Sequence, residues 1–424
     1  MFPNEIWKMI LTKITDGKDL IKLRRVNYTF YSLIEPLVLG RRVWENLFSD
    51  KMLPWKYRIL SMILPKTEDA TWKLTLQKSW RKMVLSYKKW RLFTNRNNDV
   101  SIRTCQLTKF LGYNENIVCI AVLANTLAIA TSEASIYFYE LPNLDQPAFD
   151  VNNFIAVTQM EFWYADGNLI LIAMDESNRL SFWSVSRRKA MTIELSGLNF
   201  CVGLNNRFFL KTFSSIKEYS LNSRDNLLVK EGSTTIDFSL EFDGNVEIYQ
   251  MSSEDKWFQV MISMNQKLKI LSYELPLEIF STVIETQLYN PNDINLRKPK
   301  NQLMIMPNSN TAIIVHNQSL TVGIDLLLEG DDKWESHEMS LKDGIHPTSI
   351  AMHANMLFIG LSSGYIHVYS IRHIRQLLNK HKILKKLRKI KISDSPVTAI
   401  KLTEIRKIPY ILASTHKQLY SITL

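Results

Sequence analysis

The chain has 424 residues, of which 46% are apolar and 22% charged, and its formal net charge is +11. This composition excludes a disordered protein, and the length favours two or three domains, or one large β-architecture with an appendage. The three cysteines, Cys105, Cys119 and Cys201, show no ligand spacing, which predicts neither a disulfide framework nor a zinc module and suits a reducing compartment.

No segment is predicted to cross a membrane or to direct secretion. The most apolar window, residues 117–130, is shorter than the ~20 residues that span a bilayer. Pro3 and Glu5 stand where a signal peptide would have a basic start and an apolar run. We therefore expect an intracellular protein, in the cytoplasm, the nucleus or both.

The positive charge is concentrated in two short segments. Nine Lys or Arg and no acidic residue lie between Arg372 and Lys391, and eight and no acidic residue lie between Trp72 and Asn98. The rest of the chain is close to balanced, so the charge does not indicate a protein generally coated with nucleic acid.

The first fifty residues predict three short amphipathic helices. Pro3 marks the first start, because its fixed φ and its missing N–H suit a first helical turn. Asp16-Gly17 is predicted to end this helix, and Asp19 to cap the second. Three such helices enclose little core, so they either lie on the rest of the chain or dock on another protein.

These residues resemble an F-box, the three-helix motif by which substrate receptors bind the Skp-type adaptor of cullin-RING ubiquitin ligases. The resemblance covers residues 2–48 and includes Phe2-Pro3-x-Glu5-Ile6, Ile10-Leu11, Asp19-Leu20, Val26-Asn27-x-x-Phe30-Tyr31 and Val43-Trp44. The family usually has Leu in place of Phe2 and Cys in place of Asn27. The resemblance implies adaptor contacts from Phe2, Pro3, Glu5, Ile6, Ile10, Leu11, Ile14, Leu20, Val26, Phe30 and Trp44. The resemblance assigns residues 1–48 to an F-box domain. The alternative is an N-terminal helical cap that packs on the chain's own domain.

Residues 49–99 predict a helical linker. Its tryptophans alternate with Lys and Arg, so the aromatic rings are expected to pack on the next domain while the bases stay in water. The alternative is basic–aromatic binding of nucleic acid. A polar break at residues 95–99 predicts the domain boundary.

Residues 100–424 predict seven repeats of short β-strands, because the apolar period changes to 2 and polar turns recur. From Tyr139 to Tyr420 six intervals average about 47 residues, near the ~40–45 of a WD-repeat propeller blade. The seventh repeat has only three strands before the chain ends. Residues 100–107 are therefore expected to pair with 419–424 and close the last blade.

The order of these segments resembles the F-box/WD-repeat family, although no Trp-Asp dipeptide occurs. Trp90-Arg91-Leu92 and Ser395-Pro396-Val397 are similar to its dactylin branch. The resemblance implies an α+β multidomain fold, in which a three-helix F-box and a helical linker precede a seven-bladed WD-repeat-like β-propeller.

No catalytic set, metal site or cofactor site is predicted. The string at 360–364 matches the G-x-S-x-G nucleophile elbow, but it lies between two predicted strands and so predicts a hairpin. The eight histidines show no metal spacing, and no phosphate-binding or dinucleotide motif occurs. We expect a non-catalytic protein.

The resemblance implies a protein substrate on the propeller face formed by the loops between second and third strands and the loops that lead into each blade. The candidate residues are Ser132, Glu133, Glu176, Asn178, Ser362 and Ser363. These loops carry no ring of arginines, so phosphate-dependent recognition is not predicted.

The basic segment between Arg372 and Lys391 predicts an amphipathic helix, because leucines and isoleucines recur among its bases. Such a helix either packs on the propeller or binds an acidic partner, an anionic membrane or the nuclear import machinery.

The leading hypothesis is the substrate-recognition subunit of a Skp–cullin–F-box ubiquitin ligase, which acts by proximity. The alternative is a propeller scaffold outside any ligase.

Overall fold

The computed structural model divides the chain into two units, Met1–Trp90 and Arg91–Leu424. It describes residues 3–40, 42–46, 59, 62, 71–94, 99–105, 115–153, 155–165, 167–203, 206–213, 215–222, 227–229, 235–237, 247–253, 257–264, 267–275, 283–287, 302–308, 311–316, 319–324, 333–339, 341–371 and 384–424. No described helix is both long enough and apolar enough to cross a bilayer.

The first unit is helical. Its helices are α1 (Asn4–Lys13), α2 (Gly17–Leu23), α3 (Tyr28–Gly40) and α4 (Thr71–Trp90), and residues 43–46 are also helical. Both α1 and α2 pack on α3. Among the described residues of this unit, the buried apolar ones are Leu11, Leu20, Ile34, Val38, Val43, Trp44, Ile59, Trp80, Met83, Val84, Tyr87 and Trp90.

Side-chain caps begin two of these helices. The Asp16 carboxylate accepts the Lys18 N–H at 2.7 Å, and the Asn27 side-chain oxygen accepts the Phe30 N–H at 2.8 Å. The prediction that Asp19 caps the second helix is wrong, because α2 already begins at Gly17. Asp19 lies in the first turn, where it forms an ion pair with Lys22 at 3.0 Å.

One buried arginine joins three segments of the helical unit. The Arg24 guanidinium forms an ion pair with Glu35 of α3 and lies 5.3 Å from the Trp44 ring centroid. Arg81 of α4 reaches the other Glu35 oxygen at 3.3 Å. Since Glu35 and Arg24 are mostly shielded from water, this pairing specifies how α2 and α4 lie on α3.

Strands dominate the second unit, after a short 3₁₀ turn at Arg91–Thr94. Its described residues form seven antiparallel sheets. Sheet 1 has β2 (Ile117–Leu123), β3 (Thr126–Thr131), β4 (Ser135–Glu140) and β5 (Phe149–Asn152). Sheet 2 has β6 (Val157–Ala165), β7 (Asn168–Asp175), β8 (Arg179–Ser184), β9 (Lys189–Ala190) and β10 (Leu195–Ser196). Sheet 3 has β11 (Asn199–Val202), β12 (Phe208–Lys211), β13 (Ser215–Asn222), β14 (Leu227–Val229) and β15 (Thr235–Asp237).

The other four sheets each have four strands. Sheet 4 has β16 (Glu247–Ser253), β17 (Trp257–Met264), β18 (Lys267–Glu274) and β19 (Val283–Gln287). Sheet 5 has β20 (Gln302–Asn308), β21 (Thr311–His316), β22 (Ser319–Ile324) and β23 (Lys333–Glu338). Sheet 6 has β24 (Pro347–His353), β25 (Met356–Leu361), β26 (Tyr365–Ile371) and β27 (Leu384–Lys391). Sheet 7 has β28 (Ala399–Ile405), β29 (Ile408–Ser414), β30 (Leu419–Thr423) and, as its fourth strand, β1 (Ser101–Cys105).

The two ends of this unit meet in sheet 7. Strand β1 pairs with β30 from Ser101 opposite Thr423 to Cys105 opposite Leu419, which is the pairing that the sequence leads us to expect of residues 100–107. The first strands of successive sheets contact one another, and β28 contacts β2. The Ile117 N–H donates to the His416 carbonyl at 2.7 Å, which ties sheet 1 to sheet 7.

Apolar side chains fill the spaces between neighbouring sheets. Between sheets 3 and 4, the Phe209 and Phe258 rings stack with centroids 4.3 Å apart. Between sheets 1 and 2, Phe138 and Leu171 belong to one buried cluster. The sheets pack face to face, so the residues of one strand enter the cores on its two sides alternately.

The prediction of a helix across the basic segment is wrong for Leu384–Lys391, which forms β27 at the outer edge of sheet 6. The other residues of that segment, 372–383, lie outside the described part of the chain. The strand pairs Arg388 with Val368 and Lys386 with Tyr369, so Leu387 is an extra residue at a β-bulge. The bulge adds one residue to the strand. Leu384, Leu387 and Ile390 can therefore belong to a strand although they are spaced by three.

Candidate functional site

The predicted adaptor-binding residues have very different exposures. Phe2 lies outside the described residues. Pro3, Glu5, Ile10 and Val26 are exposed, and Ile6, Ile14 and Phe30 are half-buried. Leu11, Leu20 and Trp44 are at most 5% exposed, so they are available to a partner only if the helices move apart.

Three exposed large apolar residues of the described helical unit were not predicted as contacts: Met9 and Tyr28, which lie in the segment that resembles an F-box, and Leu85 of α4. Met9 is 61% exposed and Tyr28 is 84% exposed, beside Ile10 at 43% and Val26 at 62%. The Trp7 and Phe30 ring centroids are 4.9 Å apart, which places α1 beside the start of α3. We call Met9, Ile10, Val26 and Tyr28 the exposed apolar group. Met9 and Tyr28 lie beside the predicted contacts Ile10 and Val26 in the sequence, and this proximity could have identified them.

The predicted substrate residues occupy equivalent turns in sheets 1, 2 and 6. The N–H groups of Ser132, Glu176 and Ser362 donate to the carbonyl that precedes the first strand of their own sheet, at 2.9, 3.1 and 2.9 Å. Each turn joins the second strand to the third. The six predicted residues therefore lie at the same end of their sheets, which we call the upper face.

A left-handed residue completes each of these turns. Ala134, Asn178 and Gly364 have φ of 60°, 63° and 73°. Their carbonyls accept the N–H groups of Asn153, Gly197 and Ile392 at 2.9, 2.9 and 3.0 Å. Each turn is thus bonded both to the segment before its sheet and to the segment after it, so the upper face is built from fixed backbone.

Sheets 3 and 7 use a different turn at the same end. The N–H groups of Thr212 and Thr415 donate to the carbonyls of Ser215 and Gln418, both at 2.8 Å. In sheet 7 this turn is tied to sheet 1, since Lys417 Nζ donates to the Glu115 carbonyl at 2.8 Å. In sheet 3 the turn carries a side chain that sequence reasoning missed, Phe213, which is 92% exposed.

The charges of the upper face are mixed. Glu133 and Glu176 are exposed, whereas Ser362 and Ser363 are half-buried. Lys391 Nζ donates to the Ser363 carbonyl at 2.9 Å and forms an ion pair with Asp394 at 2.8 Å. The hydrogen bond from Lys391 holds the pKa of the Asp394 carboxyl below its usual value. The described part of the upper face therefore carries charges of both signs.

The three thiols of the β unit have raised pKa values. Burial raises the pKa of the Cys105 thiol to about 12, and that of the Cys119 thiol to about 12. Burial also raises the pKa of the Cys201 thiol. Thiols with such values stay protonated at neutral pH and are poor nucleophiles.

The G-x-S-x-G string forms the predicted hairpin. Gly360 lies in β25, and the next strand, β26, pairs with it directly. Ser362 Oγ accepts the His346 backbone N–H at 3.1 Å. Among the described residues no group of three His, Cys, Asp or Glu could hold a metal ion.

Among known proteins, this chain is similar to solved structures of other proteins. No protein-family model and no curated protein matches it. It is similar to the solved structure of U3-55K, with a TM-score of 0.51 and 12% identity over 76% of this chain and 98% of that one. It is also similar to the crystal structure of RRP9 WD40 repeats, with a TM-score of 0.52 and 12% identity over 77% of this chain and 100% of that one. The β unit therefore has the fold of a WD40-repeat β-propeller.

Proposed function

We propose that this protein is the substrate-recognition subunit of a Skp–cullin–F-box ubiquitin ligase. The helical unit binds the Skp-type adaptor and, through it, the cullin. The β unit is a closed seven-bladed propeller, one sheet per blade, and its upper face binds a protein substrate. The subunit performs no chemistry and needs no cofactor, because it acts by holding the substrate near the ubiquitin-transferring enzyme, in the cytoplasm or the nucleus.

The observation that carries the adaptor interface is the exposed apolar group. Met9, Ile10, Val26 and Tyr28 are each at least 43% exposed, in a unit that also contains many buried apolar residues. Removing such apolar surface from water favours association with a partner. Their presence in a segment with the F-box order of residues favours an adaptor as the partner.

The buried predicted contacts have a supporting role under this proposal. Leu11 and Leu20 lie in α1 and α2, which both pack on α3. They hold the three helices in one arrangement, and that arrangement presents the exposed apolar group. The adaptor then meets a preformed surface, which lowers the entropic cost of binding.

A seven-bladed ring is supported by the contacts between first strands and by the pairing of β1 with β30. Because the first strand of the unit completes the last sheet, the ring is closed by strand pairing within sheet 7.

The strand β27 is a second candidate contact. Five of its eight residues are Lys or Arg, and it lies at the outer edge of sheet 6. Lysines at a sheet edge prevent edge-to-edge aggregation, and they also attract an acidic partner. The weakening of such a partner's affinity by added salt would support the second role.

A propeller scaffold outside any ligase is the alternative. The observation that favours it is the burial of Leu11, Leu20 and Trp44, which shows helices with packing of their own.

Co-purification with a recombinant Skp-type adaptor tests the two functions. The wild type is expected to retain the adaptor, and Ile10→Asp with Val26→Asp to release it, because two exposed contacts become charged. The matched control is Ile408→Asp, a 43% exposed isoleucine of β29. If the wild type retains no adaptor, or the double variant retains it fully, the ligase proposal fails.

A further inference from the structure

We propose that the upper rim of sheets 2 and 3 is the substrate-docking point, and that it binds a protein segment in which an apolar side chain adjoins a carboxylate. The docking point consists of Arg179, Leu198 and Phe213. The inference rests on the proposed function, since it specifies the substrate of that same face.

Phe213 is the apolar anchor of the docking point. It is 92% exposed, the largest value among the exposed large apolar residues that the structure describes. Its turn is held by the 2.8 Å bond from Thr212 N–H to the Ser215 carbonyl and by a 2.8 Å bond between the two side-chain hydroxyls. Aromatic side chains, Phe included, are enriched in the cores of protein interfaces, and a turn that is already hydrogen-bonded costs less to order on binding.

Leu198 extends the apolar surface. Its N–H donates to the Lys211 carbonyl at 2.8 Å, which places it beside Thr212, the neighbour of Phe213. Leu198 is 43% exposed. Leu198 and Phe213 therefore lie on neighbouring segments at the same end of sheet 3.

Gly197 brings this apolar pair against the turn of sheet 2. Its N–H donates to the carbonyl of Asn178, one of the predicted substrate residues, at 2.9 Å. A Cβ at this position would lie 2.4 Å from Leu210 Cδ1 and 2.7 Å from the Lys211 carbonyl oxygen. Glycine is required for this close approach to sheet 3, and the bond to Asn178 joins the docking point to the predicted substrate face.

Arg179 supplies the charge. It is exposed, and it lies opposite Ser196, two residues from Leu198, in the pairing of β8 with β10. The neighbouring carboxylate, Asp175, accepts the N–H groups of Ser177 and Arg179 at 2.8 and 3.0 Å, so it serves the turn. None of the ion pairs between described residues includes Arg179. Its guanidinium can therefore receive a carboxylate from outside the chain.

These contacts specify the chemistry of the occupant. Phe213 and Leu198 require an apolar side chain, and Arg179 favours an adjacent Asp or Glu. The exposed carboxylate of Glu176, in the same turn, would repel a segment with several acidic residues or a nucleic-acid backbone. The occupant is an exposed protein segment with one apolar and one acidic residue side by side.

An array of synthetic peptides tests this inference with the purified full-length chain. Each peptide carries Leu or Phe beside Asp, Asn or Lys in a Gly/Ser background. We expect the wild type to bind the Asp peptides most tightly and the Lys peptides least. Phe213→Ser should weaken binding of every peptide by about tenfold, which corresponds to about 1.4 kcal/mol. Arg179→Gln should remove the preference for Asp over Asn and keep the apolar contribution.

Two variants at the opposite end of sheet 7 are the controls. Ile408→Ser removes an exposed apolar side chain, and Arg406→Gln removes an exposed guanidinium, at the turn between β28 and β29. Both should bind as the wild type does. Far-ultraviolet circular dichroism and thermal unfolding should show that all variants are folded, because every altered side chain is exposed.

The inference is overturned if the wild type binds no peptide, if Asp, Asn and Lys peptides bind equally, or if Ile408→Ser weakens binding as much as Phe213→Ser does. Adaptor co-purification on the same variants separates this result from the ligase proposal. Phe213→Ser should retain the adaptor, so a failure at the docking point leaves the adaptor interface intact. Absence of the adaptor from the wild type would remove the ligase proposal while the peptide result stands.

Discussion

The helical unit and the β unit differ in where they keep their large apolar side chains. In the β unit whole strands are buried, as in β25, where all six residues are buried. In the helical unit Val26 and Tyr28 are 62% and 84% exposed, close to buried Leu20 and Ile34. Sheets that pack on both faces bury every residue of a central strand, whereas short helices bury only one side. Exposed large apolar residues of the β unit are found at turns, as Phe213 is, and also on strands, where Ile102 of β1 and Val118 of β2 are 40% and 43% exposed.

The largest expected effect is a loss of core between sheets. Phe258→Ala removes a fully buried ring that stacks on Phe209 at 4.3 Å, and should cost about 3–5 kcal/mol of unfolding free energy. Phe213→Ala removes the same ring from an exposed turn and should change stability by less than about 0.5 kcal/mol. Urea denaturation measures both. Equal costs would show that Phe213 belongs to the core.

The next effect tests the close packing of the helical unit. A Cβ on Gly17 would lie 2.5 Å from Val43 Cγ1, so Gly17→Ala should destabilise this unit by about 1–3 kcal/mol. Gly40→Ala is the matched control, because a Cβ there has nothing within 4 Å. Thermal unfolding followed by helical circular dichroism compares them. A more stable Gly17→Ala variant would contradict the close approach.

A smaller effect concerns the helix caps. Asn27→Ala removes the acceptor of the Phe30 N–H and should cost about 1 kcal/mol. Asp19→Ala removes only an exposed ion pair with Lys22 and should cost no more than about 0.5 kcal/mol. The two variants are compared by the same thermal measurement. A greater loss from Asp19→Ala would restore Asp19 as a cap.

The smallest effect near neutral pH is the titration of the Cys105 and Cys119 thiols, which lie in the β unit. The pKa values of Cys105 and Cys119 are raised from 9.0 to about 12, so above pH 9 the unfolded chain loses protons that the folded chain keeps. The contribution of these thiols is complete below pH 9 and falls as the pH rises towards 12.

Denaturation of the wild type and of a variant with Cys105→Ala and Cys119→Ala, between pH 8 and 10.5, measures this contribution. The wild type should lose stability more steeply above pH 9 than the variant does. Parallel curves would show that the two thiols ionise normally in the folded protein.

The elements that local pattern decides were predictable. The change of apolar period from 3.6 to 2 distinguishes the helices of the first hundred residues from the strands that follow. The turns at 132–134, 176–178 and 362–364 were predictable because small and polar residues interrupt two strands. The pairing of β1 with β30 followed from counting strands, since a seventh repeat with three strands leaves one partner unfilled.

The tertiary structure decided what depends on partners distant in sequence. Residues 384–391 form a strand because they pair with β26, although their apolar spacing of three resembles that of a helix. The extra residue at the bulge, Leu387, lets this spacing fit a strand. The choice of Asp16 over Asp19 as a cap depends on where the helix begins, since a cap must precede its first turn. The exposures of Leu20 and Val26 were not predictable from hydrophobicity, because packing against α3 decides which apolar residue is covered. The same reason sets Phe213 apart, since only the folded sheet shows that no described neighbour buries its ring.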